Sequence, residues 1–437
     1  MKLQRALGTV ALVFVMFFNV SGGAFTTETL IVSVGPGLGL LLLILVPLFW
    51  SLPETLIIGE LASALPEEGG YYKWVDRAFG KFWAFQNGWC TWMYSLVDMA
   101  IYPVLFNQYL SYFAPNLSPL TQWVIALAVI WGATAINLRG ASRVGLTSIV
   151  AGVIVLGAFA LLSVAAIPNI HQVPWRPFNH PGQGTLGGIG VGISIALWNY
   201  IGWDNPSTVE GEVIDAGRSY PRALAITLPL VCLGYIVPLL ATAGASDWSK
   251  WKEGGWPEIA RMSAGAMGGP LAILLSIAGM ISALALFNAL LMSYSRIPLV
   301  MAEDGFLPKR FARTDSNGTP RNAVLFSAVF YSIFALVSFG RLVVADVLLY
   351  AFALILEFGA LLALRRKEPE LRGSFRIPAG FKTVCMLAII PMVILIAVVA
   401  LEIRDGEYGL PAVIGALIAA LAGPIAYSLV SRSGLAA

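Results

Sequence analysis

The sequence predicts an all-α, multi-pass membrane fold, and three observations carry that prediction. Of 437 residues, 58% are hydrophobic and 12% charged, with a mean hydropathy of +0.79. Soluble domains run at roughly 45–50% apolar and ~25% charged, so water would not wet the surface this chain presents. A soluble enzyme, a nucleic-acid binder and a disordered scaffold are excluded on that ground. The second observation is a series of twelve apolar runs, each near the ~20 residues that a membrane-spanning helix needs. The third is a pair of interruptions, in the first and sixth runs. They divide the chain into two five-span halves, residues 1–168 and 169–366, followed by two further spans in 367–437.

The runs fall at 6–32, 38–64, 82–113, 119–137, 143–167, 186–213, 221–243, 269–301, 322–339, 342–364, 383–402 and 409–430. Lys2 and Arg5 precede the first apolar core and small residues follow it, a pattern that secretory leaders share. A chain with this many spans needs no cleaved leader, so the run is read as span one. Placing the N-terminus in the cytoplasm puts twenty-one of the 27 Lys and Arg residues on the inner side. The exceptions are Arg176, Lys250, Lys252, Arg261, Arg341 and Arg404. The positive-inside rule therefore sets both termini in the cytoplasm, and the cell membrane is the expected location. The linker 244–267, with Trp248, Trp251 and Trp256, reads as a short amphipathic outer helix.

Cys90, Cys232 and Cys385 lie in apolar stretches without metal-ligand spacing, so neither a disulfide framework nor a zinc site is expected. The only histidines, His171 and His180, share one loop, which argues against a metalloenzyme or haem carrier. No Walker-type phosphate loop is present, and no nucleophile–base–orienter set suggests an enzyme. The net charge of +3 is too small to indicate an anionic partner.

Span one is broken at Asn19-Val20-Ser21-Gly22-Gly23-Ala24, where paired glycines and two local hydrogen-bonders favour leaving the helix. Span six is broken at Tyr200-Ile201-Gly202-Trp203-Asp204-Asn205-Pro206, because Pro206 has no backbone donor and pushes Asn205 from helical angles. Open backbone at membrane depth is tolerated only where it is buried or lines a wet cavity. Breaks at matching positions of two halves point to a transporter site between inverted repeats; packing glycines and a proline kink are the bland alternative.

Ser21-Gly22-Gly23-Ala24-Phe25, Glu60-Leu61-Ala62, Pro66-Glu67-Glu68-Gly69-Gly70-Tyr71, Glu303-Asp304-Gly305-Phe306-Leu307-Pro308 and Gly318-Thr319-Pro320 together resemble signatures of the amino acid–polyamine–organocation superfamily. Trp50-Ser51-Leu52-Pro53-Glu54, Asp98 with Tyr102-Pro103-Val104-Leu105-Phe106, and Trp198-Asn199-Tyr200 through Trp203-Asp204 resemble its polyamine-uptake and L-type amino acid branch. The resemblance implies a LeuT-type 5+5 inverted repeat, alternating access, and a substrate held against the broken parts of spans one and six. The break residues Ser21, Gly22, Gly23 and Ala24 would form the floor of that site. L-type relatives attach a partner subunit through a cysteine between spans three and four; residues 113–119 contain none, so no disulfide-linked partner is expected.

The spans hold Glu28, Glu54, Glu60, Asp98, Asp204, Glu210, Glu212 and Glu357, with Asp346 near an outer end, and no Lys or Arg near any span centre. Ionisable groups within spans are costly and by default functional. A cationic substrate or coupling protons would neutralise this excess of acid. Glu28 follows the first break by one turn, where it would attract an amine and repel a carboxylate; the alternative is stabilisation of its own helix start. Asp98 has Tyr94 and Tyr102 four residues to either side, a stripe that suits an ammonium, or a structural acid of its helix. Asp204 lies inside the second break, facing a cation or capping the following half-helix. Trp198 and Trp203 are candidates to close over the substrate.

Glu54, Glu210 and Glu357 are candidate proton relays, each with an equal reading as a structural acid. Glu60 and Glu212 belong near the inner surface, paired with loop arginines as part of a gate. Sodium-dependent relatives use oxygens between spans one and eight, where Ser293 and Ser295 offer hydroxyls. Some proton-coupled members carry a lysine in span five, and residues 144–167 have none. The many buried acids favour H+ over Na+, and no cofactor is expected. The expected function is import of a polyamine or cationic amino acid; the rival is a neutral amino acid permease or exchanger.

Overall fold

A computed structural model describes residues 3–182, 185–335, 343–405 and 409–432. Among them the chain is helical, without a strand; one isolated backbone bridge joins Leu7 to Val213. Among the described residues eight helices are long and apolar enough to cross a membrane: Pro36–Ala64, Pro119–Asn137, Ala141–Asn169, Ala216–Ala245, Gly265–Glu303, Leu348–Lys367, Phe381–Val398 and Val413–Ser431. Four expected runs fall outside that count, each for a local reason. The runs at 6–32 and 186–213 are interrupted. The run at 82–113 is a 30-residue helix diluted by Gln86, Asn87, Asp98 and Asn107. The run at 322–339 is described only as far as residue 335, and Asp346 is a position whose side chain lies outside the described residues.

The first run forms α1 (Thr9–Val20) and α2 (Thr27–Val34). Between them Gly22 and Gly23 take φ of 71° and 99°, conformations open to glycine. A Cβ on Gly22 would come within 2.6 Å of the Leu286 side chain, so the neighbouring helix also requires a bare backbone there. Helix α3 (Pro36–Ala64) follows, wound as a π-turn over Pro47–Ser51. Next come the short α4 (Tyr71–Phe79), the long α5 (Lys81–Leu110), α6 (Pro119–Asn137) and α7 (Ala141–Ala166).

The second break repeats the design of the first. Helix α8 (Thr185–Trp198) ends, the chain unwinds over 199–204, and a 3₁₀ segment runs over Asn205–Glu212. Helix α9 (Ala216–Ala245) leads to α10 (Trp256–Ser263), which lies in the linker expected to hold a short amphipathic helix. Trp256 of α10 is buried, and its indole N–H donates to the Ala24 carbonyl at 2.9 Å, pinning the linker to the first break. Then come α11 (Gly268–Tyr294), α12 (Arg296–Glu303), α13 (Arg321–Phe334), α14 (Val343–Lys367), α15 (Phe381–Asp405) and α16 (Gly409–Arg432).

Helix α11 packs on α5 and α7, α1 on α7 and α9, and α14 on α5, so the two breaks lie inside the bundle. At the end of the bundle rich in Lys and Arg, buried ion pairs join separate helices. Arg365 forks onto Glu60, tying α14 to α3, and Arg296 donates to Glu212 at 2.8 Å through Nε. Both glutamates thus pair with arginines, which come from helices and not from the loops expected to supply them. The N-terminal arm adds to this closure, with the Ala6 and Leu7 N–H groups donating to the Glu212 carbonyl.

Candidate functional site

The two breaks touch. Gly202 has φ of 98°, and a Cβ there would lie 2.5 Å from the carbonyl oxygen of Asn19. Thr26, at a φ of 76° that β-branched residues avoid, donates its hydroxyl to Asn199 Oδ1 at 2.8 Å. Glycine in one break and a strained threonine in the other thus fix the unwound segments side by side. The two segments border a chamber of about 40 Å³.

Of the residues singled out from the sequence, Ser21, Asp98, Tyr102 and Trp198 line this chamber. Among the described residues Asp98 is its one charged lining residue, and it is 7% exposed. Both carboxylate oxygens accept phenol hydrogens: Oδ1 from Tyr102 at 2.7 Å and Oδ2 from Tyr294 at 2.9 Å. Tyr294 Oη in turn accepts from Asn205 Nδ2 at 3.2 Å, while Asn205 Oδ1 accepts from Tyr94 at 2.9 Å. The acid on α5 is thereby wired to the second break.

The other candidates stand around the chamber rather than in its wall. Gly22 gives its carbonyl to Ser282 Oγ, and Ala24 gives its own to Trp256, so with Gly23 they form the turn beneath the lining. Glu28 is fully buried and reaches away, accepting the Gly254 N–H at 2.8 Å. Trp203 is buried, with its carbonyl accepting from Tyr220. Asp204 Oδ1 and Glu54 Oε1 both lie on the Tyr350 hydroxyl, at 2.8 and 2.7 Å, and that hydroxyl also accepts the Gly202 N–H at 3.1 Å. Glu357 accepts from Asn87, and neither oxygen of buried Glu210 meets a hydrogen-bond donor among the described residues. Ser293 Oγ donates to Asn19 Oδ1 at 2.9 Å; Ser295 Oγ accepts from Arg296 Nη1 at 3.0 Å.

Sequence reasoning passed over Tyr294 and Tyr350, two tyrosines central to this network. Tyr294 sits between Ser293 and Ser295, and a reading tuned to hydroxyl ligands for sodium looked past the phenol between them. Tyr350 carries no local signal beyond being a polar group in an apolar run. Arg296, 1% exposed, is a third omission, since it stands at the end of its run and not near a span centre.

A buried polar chamber where two broken helices cross, within a multi-pass helical bundle, is the plan of a membrane transporter. Residues 7–420 match the family model described as amino acid permease. The chain belongs to that family, within the amino acid–polyamine–organocation superfamily. It is 36% identical over 405 residues to a probable polyamine transporter of Arabidopsis thaliana, covering 91% of this chain and 80% of that protein. The polyamine transporter PUT1 of Oryza sativa subsp. japonica is 35% identical over 401 residues, 90% of this chain and 73% of the rice protein. The polyamine transporter RMV1 of Arabidopsis thaliana is 35% identical over 399 residues, with shares of 91% and 80%.

Proposed function

We propose that this chain is a secondary transporter that imports a small cationic amine, a polyamine or a cationic amino acid, by alternating access coupled to protons. In this reading twelve spans cross the cell membrane with both termini cytoplasmic, as two inverted five-span halves, 1–168 and 169–366, plus the pair in 367–437. Asp98 carries the proposal. It is a buried carboxylate, set in a chamber without a lining cation among the described residues, whose two oxygens are each oriented by a phenol and keep acceptor sites that an ammonium can take. The names of the relatives point the same way.

Two observations support protons over sodium. Tyr350 has one phenol hydrogen yet touches two carboxyl groups, so one of Glu54 and Asp204 supplies a hydrogen of its own. The Ser295 hydroxyl, a candidate sodium ligand, already sits against the guanidinium of Arg296, and a fixed cation there repels a second. Glu54, Asp204 and Tyr350 are in this reading the seat of the coupling proton, with Glu210 and Glu357 as further relay acids.

Asp98→Asn in reconstituted liposomes tests the proposal. Labelled spermidine uptake should fall at least tenfold at matched protein, since a hydrogen bond to a charged group is worth roughly 1.5–3 kcal/mol. Uptake at the wild-type rate would remove Asp98 from the site. One feature favours the neutral amino acid reading: Glu28 turns towards Gly254, which leaves the first break free of an acid that would repel a carboxylate. Competition by leucine and not by spermidine would establish that rival.

A further inference from the structure

A second cavity, of about 610 Å³, adjoins the chamber. The two share Thr26, Leu105 and Trp198, which therefore form a partition between them. Beyond the partition the wall is largely apolar, with Ile101, Val104 and Trp123 contributing, and among the described residues its one charged lining residue is Glu253. Glu253 is exposed, and the next residue is held in place from below: buried Glu28 accepts the Gly254 N–H, and Gln108 of α5 abuts Gly254. The acid is thus carried on an anchored turn.

The sizes of the two cavities differ in a way that bears on the ligand. The chamber, at about 40 Å³, is more than tenfold smaller than the cavity of about 610 Å³ beside it. An ammonium head on Asp98 occupies the chamber, and the length of a longer amine extends into the larger space. Among the described residues, the lining charges of the connected space are two carboxylates, one at each end, with aliphatic and indole surface between them.

We infer that this protein holds its amine at both ends: one ammonium on Asp98 inside the chamber, a methylene chain past Trp198 and Leu105, and a second ammonium facing Glu253 in the outer cavity. The ligand class is a linear polyamine with cationic groups separated by an apolar spacer, and not a compact amino acid. This inference rests on the amine-carrier reading above and adds a length requirement to it. Indole and aliphatic walls suit the methylenes, and the Trp198 ring face suits a passing cation.

The test is competition against labelled spermidine on the full-length protein in liposomes, using α,ω-diamines of increasing length and n-alkyl monoamines of matched length. In the wild type, diamine affinity should rise with length until the second ammonium reaches Glu253, and then exceed that of the matched monoamine. Glu253→Gln, at an exposed position, should remove that advantage, a loss of about two- to fivefold for an exposed charge pair, with short monoamines unchanged. Raising the salt concentration should erode the same increment. Equal competition by matched diamines and monoamines overturns the inference, as does an equal loss for short and long amines in Glu253→Gln. If Asp98→Asn abolishes binding while Glu253→Gln leaves the length series intact, the second anchor fails alone. If no amine binds the wild type and leucine does, the amine-carrier reading fails together with it.

Discussion

Asp98 is held as few buried acids are, by two phenols and no cation. Removing one phenol should therefore be graded and not absolute. Tyr294→Phe deletes the hydrogen bond donated to Asp98, worth roughly 1 kcal/mol, and the one accepted from Asn205, which cuts the link between them. Amine affinity should drop about fivefold while the protein stays folded; equilibrium binding on the purified variant reads this directly. Tyr102→Phe touches the other oxygen and lacks the link to the break, so it should affect affinity similarly and transport rate less. Glu28 shows why charge and position in a sequence do not settle a role. Its placement one turn beyond the break was legible, but the direction of its side chain depends on Gly254, more than two hundred residues away.

The two breaks are the best-read elements of the sequence, because glycine and proline act locally and leave their mark in the residues themselves. What local signals do not carry is that the breaks lie against each other, Gly202 on Asn19 and Thr26 on Asn199. That contact predicts a severe effect for Gly202→Ala. The new methyl meets backbone at 2.5 Å, and φ of 98° is hostile to any L side chain. A cost of at least ~1–3 kcal/mol for the strained conformation alone should appear as a fall in the midpoint of detergent-solubilised unfolding, with amine binding lost at temperatures where folded protein persists. The helix count was harder to read than the breaks. Hydrophobicity marks α3, α7 and α11 plainly, whereas α5, the expected run 82–113, is diluted by polar residues, of which Asp98 reaches the chamber.

Across the whole molecule, closure at the Lys- and Arg-rich end depends on buried charge. Arg296 serves Glu212 and, at 3.6 Å, Glu68. Arg296→Ala leaves uncompensated acids in the interior, which typically costs about 3–5 kcal/mol, so the variant should be far less thermostable than Arg77→Ala at the half-exposed Arg77–Glu368 pair. A comparison of melting temperatures checks this. Asp304, outside the spans, adds a pH dependence. Burial raises its carboxyl, but Lys81, Tyr72 and Lys73 together outweigh that and hold it below its usual value. A depressed acid stabilises the fold above its unfolded value, about pH 4, and loses that contribution as the pH falls further. The stability gap between wild type and Asp304→Asn should be present at neutral pH and close towards pH 3.

The pairing of Asp98 with two tyrosine hydroxyls also bears on the journey made without cargo. A bare carboxylate in a dry chamber would trap an unloaded carrier on one side, leaving swap of one substrate for another as its only turnover. In the proposed carrier the phenols would keep the vacant acid company, and the return stroke would carry no naked charge through the bilayer. In a carrier of the proposed kind, net filling of vesicles that contain no amine should proceed, and internal spermidine should accelerate it only modestly. Uptake that depends wholly on preloading would show that two hydroxyls are too little solvent for the trip home.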